Sequence, residues 1–369
     1  MKPRIAKITS YEDIEHIREF VRDTVVSFFS ESAQHAGSNE KPLVVIKPNW
    51  IQESHEKESD VWIPLITNPE IILAAVDSVC EYFEDRVTVC VCDAPHTYAD
   101  FGKIISRGDF AHKLEALKSR RRNAVIEVLD LRREVWTVRN GVVTDRRPNE
   151  PDPRGYVSFN LGNESLFHGH GGEGRYYGAD YDSSIVNRHH HGAVHEYLLA
   201  GTPVKCDYFI NLPKMKTHKK TGVTCCLKNL VGINGDKNWL PHHTEGSPEN
   251  GGDEFAEDSA AGGVERALKK AARKAASSIP VIGPWAFGKI RSAGKTILGD
   301  SDVTVRNGNW HGNDTCWRMV LDLNRALLYG DANGLLDPGG KKRYLAIIDG
   351  IVGGQGNGPL EPDAAAAGV

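Results

Sequence analysis

Lysines are concentrated in one segment of this sequence, residues 214–237. Six lysines and His218 lie there with a single carboxylate, Asp236, although the whole chain carries a net charge of −4. Such a local excess of positive charge is typical of a site that captures phosphate or carboxylate groups. A solvated surface loop is the competing interpretation, but the small and apolar run Thr221–Leu227 within the segment favours a partly buried site.

Polar side chains also follow each of four apolar runs that have the character of buried strands. The four polar stretches are Lys47–Asn49, Asp93–His96, Asn211–Lys220 and Asp349–Gly358. In open parallel sheets, ligands bind outside the carboxyl ends of the strands, so we expect these stretches to face one crevice. For proton transfer the candidates are His218, Lys216, Asp93 and Asp349. The candidates for holding an anion are Lys47, Asn49, Lys214, Lys219, Lys220, Lys228, Asn229, Gly354 and Gly356.

The last of these stretches is rich in glycine. Residues 353–358 are typical of a loop that lets a ligand approach the backbone. No helix is predicted after it, and the glycine spacing is not that of a dinucleotide-binding loop, so we exclude that function.

A divalent metal is a further candidate cofactor, with His242, His243 and Asp253 as its ligands, because imidazole and carboxylate groups suit zinc, manganese or iron. The histidines His189, His190, His191 and His195 are interpreted as solvated. The seven cysteines are not grouped as an iron–sulfur cluster requires, so no cluster is expected on this chain. Cys225 and Cys226 are interpreted as structural thiols.

The elements that must position these residues alternate between strand and helix at the start of the chain, which predicts an α/β fold with a mostly parallel sheet flanked by helices. Helices are predicted over Tyr11–Phe29, after Asn68–Pro69, and after Asn313–Asp314. We expect a single domain, residues 1–369, with two insertions. The first, about 97–195, is predicted as antiparallel, with a hairpin at Asn140–Gly141. The second, about 237–310, contains a basic amphipathic helix over Ala256–Ile279.

Composition limits the partners and the compartment. The overall acidic charge argues against nucleic acid as a partner. No apolar run is long enough to span a membrane, and no signal peptide is evident, so we expect no membrane partner and a cytoplasmic location. An odd number of cysteines in a long chain fits a reducing compartment.

Several long motifs of this chain resemble the domain of unknown function 362 family: LPKMKTHKKTGVTCCLKNLVGINGDKNWLPHH, GGDEF, GNDTCWRMVLDLNRALLYGD and IIDGIVGGQGNGPLEP. The similarity runs from Lys47 to the end of the sequence. It implies an association with iron–sulfur proteins, since some relatives carry a ferredoxin-like module, and an association with carbohydrate or polysaccharide metabolism. It also implies that members continue past the last motif, so we expect this chain to be truncated, with apolar surface exposed near Gly353–Gly358.

The function that these observations favour is an enzyme that acts on a small phosphorylated or carboxylated metabolite, with a sugar-linked substrate suggested by the resemblance. Two alternatives stay open. One is a redox or cluster-handling protein, and the other is an anion-binding module without catalytic activity.

Overall fold

A computed structural model describes residues 2–32, 41–139, 142–178, 183–256 and 307–369. The helices in these residues are α1 Ile14–Ser32, α2 Pro69–Tyr82, α3 Phe101–Ser106, α4 Phe110–Arg120, α5 Ser183–His189, α6 Gly201–Lys205, α7 Cys226–Asn229 and α8 Cys316–Tyr329. The strands are β1 Leu43–Pro48, β2 Thr88–Asp93, β3 Val125–Asp130, β4 Glu134–Arg139, β5 Val142–Pro148, β6 Tyr156–Asn160, β7 Tyr176–Tyr177, β8 His190–His191, β9 Val194–Ala200, β10 Tyr208–Leu212, β11 Lys214–His218, β12 Gly222–Thr224, β13 His243–Thr244, β14 Arg343–Ala346, β15 Asp349–Asn357 and β16 Glu361–Ala366.

A five-stranded parallel sheet forms the centre of the fold, in the order β14-β10-β1-β2-β3. Its central strands are continuous apolar runs because both of their faces are covered. The α/β fold predicted from the alternation of strands and helices is therefore confirmed.

The two faces of this sheet bury alternate residues of each strand, as the period of two requires. On one face, Ile46 and Val91 pack against α1, α2 and α4. On the other face, Val45 and Cys90 pack against α8 and the antiparallel strands β6 and β9. A sheet covered on both faces leaves its strand ends as the place where polar groups can gather.

Antiparallel pairing starts later in the sequence than the prediction of an antiparallel insertion from about residue 97. Val125–Asp130 is a parallel edge strand paired with β2, and α3 and α4 form the crossover that leads to it. An edge strand is only half covered, so its mixed composition resembled that of an antiparallel strand. Antiparallel pairing begins with β4 and β5, on either side of the predicted hairpin turn, whose residues Asn140 and Gly141 lie outside the described residues.

A second sheet, in the order β12-β11-β15-β16, lies beyond the carboxyl ends of β10 and β14. The stretches Asn211–Lys220 and Asp349–Gly358 were predicted as loops at strand ends, and this was wrong over most of these residues. Lys214–His218 is a strand, and the glycine-rich segment lies in β15, between β11 and β16. The glycines of β15 permit close packing, because a Cβ at Gly354 would lie 2.8 Å from the Lys216 Cβ. β16 pairs with β15 from Val352 to Asn357, whereas β14 is an edge strand of the parallel sheet.

The helix predicted after Asn313–Asp314 is observed as α8, and Asn313 Oδ1 accepts a hydrogen bond of 2.7 Å from the Cys316 amide at its start. The predicted basic helix over Ala256–Ile279 lies outside the described residues except for Ala256. Across the described ranges, no helix combines the length and apolar character that a membrane span requires.

Candidate functional site

A cavity of about 350 Å³ lies at the carboxyl ends of β1 and β2, between the parallel sheet and the β11–β12 hairpin. This volume is in the range of small-metabolite sites. The polar side chains that line it are Asn49, Asp93, His96, Thr97, Tyr177, His218, Lys220, Thr224, Lys228, Asn229, Lys237, His242, His243, Asn307 and Asn309. Asn49, Asp93, His218, Lys220, Lys228 and Asn229 are residues for which the sequence predicted a catalytic or anion-binding role.

Lys47 and Asp93 form a buried ion pair beneath this cavity. Lys47 Nζ lies 2.7 Å from Asp93 Oδ1, and the second carboxylate oxygen accepts a hydrogen bond of 2.7 Å from the Trp50 amide. Gly232 covers the pair, because a Cβ at that position would lie 2.7 Å from Lys47 Nζ. Asp93 is the one carboxylate among the described residues that line the cavity, and Lys47 neutralises it.

Asn229 links the ends of β1 and β10 through its side-chain amide. Its Nδ2 donates to Asn211 Oδ1 at 2.7 Å, and its Oδ1 accepts from Asn49 Nδ2 at 2.9 Å. Asn211 Nδ2 in turn donates to the Cys226 carbonyl at 2.9 Å. Asn229 and Asn211 are fixed at both ends of their amides, whereas Asn49 is held through its Nδ2, and its Oδ1 has no hydrogen-bond partner among the described residues.

Three lysine amines reach the cavity from different elements. Lys220 Nζ donates to the Asn307 carbonyl, and Lys237 Nζ donates to the Val231 carbonyl at 2.8 Å. Lys228, on α7, has no hydrogen-bond or ion-pair partner in the part of the chain that the structure describes. Burial lowers the pKa of Lys220 to about 8 and that of Lys237 to about 7, and it also lowers the pKa of Lys228. An ammonium with no counter-ion in a buried position is costly, so these lysines favour an anionic ligand.

Two histidines of the cavity hold opposite tautomers. His218 Nδ1 accepts a hydrogen bond of 3.1 Å from the Lys220 amide, so in the neutral ring Nε2 carries the proton. His242 Nδ1 lies 2.9 Å from the Leu240 carbonyl and donates to it, so its Nε2 is an acceptor. Burial and the nearby Lys228 charge hold the pKa of His218 well below its usual value and lower that of His242 to about 3. Both rings are therefore neutral at pH 7, one as a donor and the other as an acceptor.

Apart from Asp93 Oδ1, which pairs with Lys47, four buried polar atoms of the cavity wall have no hydrogen-bond partner among the described residues: Asn49 Oδ1, His96 Nδ1, Thr97 Oγ1 and Thr224 Oγ1. Buried polar groups in native proteins are almost always paired. Four unpaired atoms around one cavity therefore mark it as a place where a polar ligand completes the hydrogen bonding.

Two of the other predicted site residues form a separate buried cluster. Lys214 Nζ lies 3.0 Å from Asp349 Oδ2 and 2.7 Å from the Tyr11 hydroxyl, which itself donates to Asp349 Oδ1 at 2.6 Å. The Asn68 amide donates to the same carboxylate at 2.9 Å, so the cluster joins β11 and β15 to the start of α2. Neither Lys214 nor Asp349 lines the cavity, and their contacts are those of a structural link.

Lys216 and Lys219, also predicted from the lysine segment, do not line the cavity either. Lys216 is buried and donates to the Leu65 carbonyl, and burial holds its pKa well below the usual value. Side chains alternate along β11, so Lys216 and His218 share one face, whereas Lys219 follows the strand and its amide donates to the Gly358 carbonyl at 3.3 Å. Gly354 and Gly356 lie on β15 and also do not line the cavity.

The three predicted metal ligands are not brought together. His242 and His243 line the cavity, but Asp253 lies at the start of α8, where Oδ1 accepts from the Thr244 amide at 2.6 Å and Oδ2 accepts from the Asp314 and Thr315 amides at 2.8 Å. Such a carboxylate stabilises the positive end of the helix. Among the described residues, no group of three or more His, Cys, Asp or Glu side chains is placed to hold a metal ion.

The sequence did not identify Lys237, His96, Thr97 and Thr224 as site residues. Each lay within or next to a stretch that it did identify: His96 ends the stretch 93–96 and Thr97 follows it, while Thr224 and Lys237 lie in the lysine segment 214–237. Their roles depend on which direction each side chain takes in a turn, and spacing alone carries no such information.

A search among curated proteins gives no match. The family model described as "Domain of unknown function (DUF362)" matches residues 122–369, a range that contains β11, β12, α7 and every lysine that lines the cavity. This chain belongs to the DUF362 family.

Proposed function

We propose that this chain is an enzyme that binds a small phosphorylated or carboxylated metabolite in the cavity. The observation that carries the proposal is the charge of the wall. Lys220, Lys228 and Lys237 face a space whose one carboxylate among the described residues, Asp93, already pairs with Lys47.

The energetic argument rests on the cost of unpaired charge. Hydrogen bonds to charged groups contribute about 1.5–3 kcal/mol each, and more where water is excluded. An anion that contacts two of these ammonium groups removes their mutual repulsion as well. Binding of an anion is therefore favoured over binding of a neutral molecule of the same size.

The cavity also contains groups suited to proton transfer. Lys237, with a pKa of about 7, exists in both its charged and neutral forms near neutral pH and is suited to act as a base. His218, proposed from sequence for proton transfer, would act through its Nε2–H as a donor to developing negative charge. Asp93 would hold Lys47 in place. In this proposal it does not exchange protons with the substrate.

The compartment and the partners follow from the same features. All seven cysteines are unpaired, which supports a reducing location such as the cytoplasm. The net charge of −4 supports a small anion, rather than nucleic acid, as the ligand of the local positive site.

Calorimetric titration tests the binding step. Wild-type protein should bind inorganic phosphate or citrate and should not bind an uncharged polyol with comparable affinity. Lys228→Met should weaken anion binding by about tenfold or more, because each charged hydrogen bond contributes about 1.5–3 kcal/mol. Lys103→Met is the matched control, since this lysine on α3 is 67 % exposed and lies outside the cavity. Equal affinities for the wild type and Lys228→Met would contradict the proposal.

Turnover distinguishes an enzyme from a binding module. Phosphorylated and carboxylated metabolites should be screened for chemical change with the wild type and with Lys237→Met. We expect a substrate that the wild type converts and that Lys237→Met binds but converts at least about a hundredfold more slowly, the usual contribution of a general base. Tight binding without any conversion across the screen would favour the noncatalytic module.

A further inference from the structure

The wall of the cavity is not uniform, because its two ends offer different hydrogen-bonding groups. At the end formed by the β11–β12 hairpin are the ammonium of Lys220, the Nε2–H of His218 and the hydroxyl of Thr224. All three can donate. At the end formed by the loops after β1 and β2 are Asn49, His96 and Thr97. Lys228 lies between the ends, because its helix α7 follows β12 closely and ends at Asn229, which pairs with Asn49. Its charge lowers the pKa of both His218 and His96.

The donor end has the composition of a phosphate site. A phosphomonoester presents three acceptor oxygens and up to two negative charges, and it requires several donors that converge on it. Lys220, Lys228, His218 and Thr224 supply four donor groups from the hairpin and α7. A carboxylate, with two oxygens, would leave part of this set unpaired.

The opposite end has a fixed acceptor. Asn49 Nδ2 donates to Asn229 Oδ1, and Asn49 Oδ1 is a buried acceptor that has no partner among the described residues. A phosphate oxygen without a proton would repel this atom, whereas a hydroxyl group would donate to it. Thr97 Oγ1, also buried and without a partner among the described residues, can then accept from or donate to a second hydroxyl.

We infer that the ligand is a phosphomonoester that also carries hydroxyl groups, with its phosphate between Thr224 and Lys228 and its hydroxyls against Asn49 and Thr97. This inference rests on the proposed function and narrows the substrate class. Lys237 lines the cavity, with its Nζ on the Val231 carbonyl, and its charge acts on His96, so it is placed to accept a proton from a hydroxyl at that end.

The test compares two ligands of equal charge and similar size, glycerol 3-phosphate and n-propyl phosphate, by calorimetry on wild-type protein. Glycerol 3-phosphate should bind about tenfold more tightly or better, since pairing buried polar groups contributes about 1–3 kcal/mol. Thr97→Val should remove most of this difference while leaving n-propyl phosphate affinity unchanged. Thr224→Val is the matched variant at the phosphate end of the cavity, and it should weaken the binding of both ligands by a similar factor.

The outcomes separate this inference from the proposal on which it rests. Equal wild-type affinities for the two ligands, both weakened by Lys228→Met, would leave the anion site standing and overturn the hydroxyl recognition. Tighter binding of fructose 1,6-bisphosphate than of fructose 6-phosphate would also overturn it, because a second phosphate would then occupy the Asn49 end. Absence of binding by both ligands, by inorganic phosphate and by citrate would overturn the proposed function itself. The wild-type comparison does not depend on any variant, and a melting curve for each variant confirms that it is folded.

Discussion

Lys47 Nζ lies 2.7 Å from Asp93 Oδ1, and neither side chain is more than 3 % exposed. The pair therefore holds one positive and one negative charge at the base of a positively charged cavity without changing its net charge. Because the pair is both buried and next to the cavity, we expect its removal to affect the stability of the protein and its affinity for anions separately.

Lys47→Met should lower the free energy of unfolding by about 3–5 kcal/mol, because it leaves Asp93 buried and unpaired. The double variant Lys47→Met/Asp93→Asn should lose less than the sum of the two single losses, and urea denaturation of the four proteins measures the coupling. Lys47→Met should also weaken phosphate binding, since Asp93 then places its negative charge beside the ligand. Additive losses would show that the two groups do not act as a pair.

Gly232→Ala should destabilise the protein by about 1–3 kcal/mol and weaken phosphate binding, because the added methyl group would push Lys47 and Asp93 apart. Gly171→Ala is the matched control, since no atom lies within 4 Å of a Cβ built there. Thermal unfolding and calorimetry report the two effects. A Gly232→Ala protein with wild-type affinity would mean that the ion pair tolerates displacement.

Sulfate binding should weaken as the pH rises from 6 to 9. Lys237 and Lys220, with pKa values of about 7 and about 8, lose their charge over this range, whereas sulfate stays a dianion. Each lysine that must regain a proton on binding weakens the affinity by up to about tenfold per pH unit above its pKa. Calorimetric titrations in buffers of different ionisation enthalpy should show that protons are taken up when sulfate binds. The number of protons taken up should be smaller for Lys237→Met than for the wild type. A flat profile would exclude these lysines from the site.

The same lysines predict the opposite slope for the stability of the ligand-free protein. The pKa of Lys237 is lowered from 10.5 to about 7, so between these values the unfolded chain binds more protons than the folded chain. The contribution of Lys237 to the free energy of unfolding therefore rises with pH over this window. Comparing the wild type with Lys237→Met in urea at pH 7 and pH 9 isolates that contribution, and the variant should show the smaller increase.

Tyr11→Phe should reduce stability by about 1–3 kcal/mol and leave phosphate affinity unchanged, because it removes buried hydrogen bonds of the Lys214–Asp349 cluster, which does not line the cavity. Urea denaturation and calorimetry on one preparation provide both values. Loss of phosphate affinity without loss of stability would contradict this and would mean that Lys214 and Asp349 belong to the functional site, as predicted from the sequence.

The sequence predicted the parallel sheet because β1, β2 and β10 are apolar runs that end in polar residues. The same reasoning placed Asn49, Asp93 and His218 at one edge, and the structure brings all three to the cavity wall. These residues follow from a rule about strand ends, which needs no knowledge of side-chain direction.

The second sheet could not be predicted in the same way. β11 consists of alternating lysine and other residues, and β15 is rich in glycine, so neither has the apolar pattern of a strand. Their pairing depends on long-range contacts, such as Lys214 with Asp349, that span much of the sequence. Grouping all the lysines into one site was therefore an overestimate, because Lys214 and Lys216 are buried away from the cavity, whereas Lys220, Lys228 and Lys237, beyond the strand, line it.

Two neighbouring chain segments cross from the parallel sheet into the second sheet side by side. β10 continues into β11 across Pro213 alone, and the Asp349 amide at the start of β15 donates to the Pro213 carbonyl at 2.9 Å. Each crossing is at most two residues long, so we expect the two sheets to move as one rigid body. Ligand association should then follow a single exponential whose rate rises linearly with ligand concentration, because no closure of one sheet against the other has to precede or follow it.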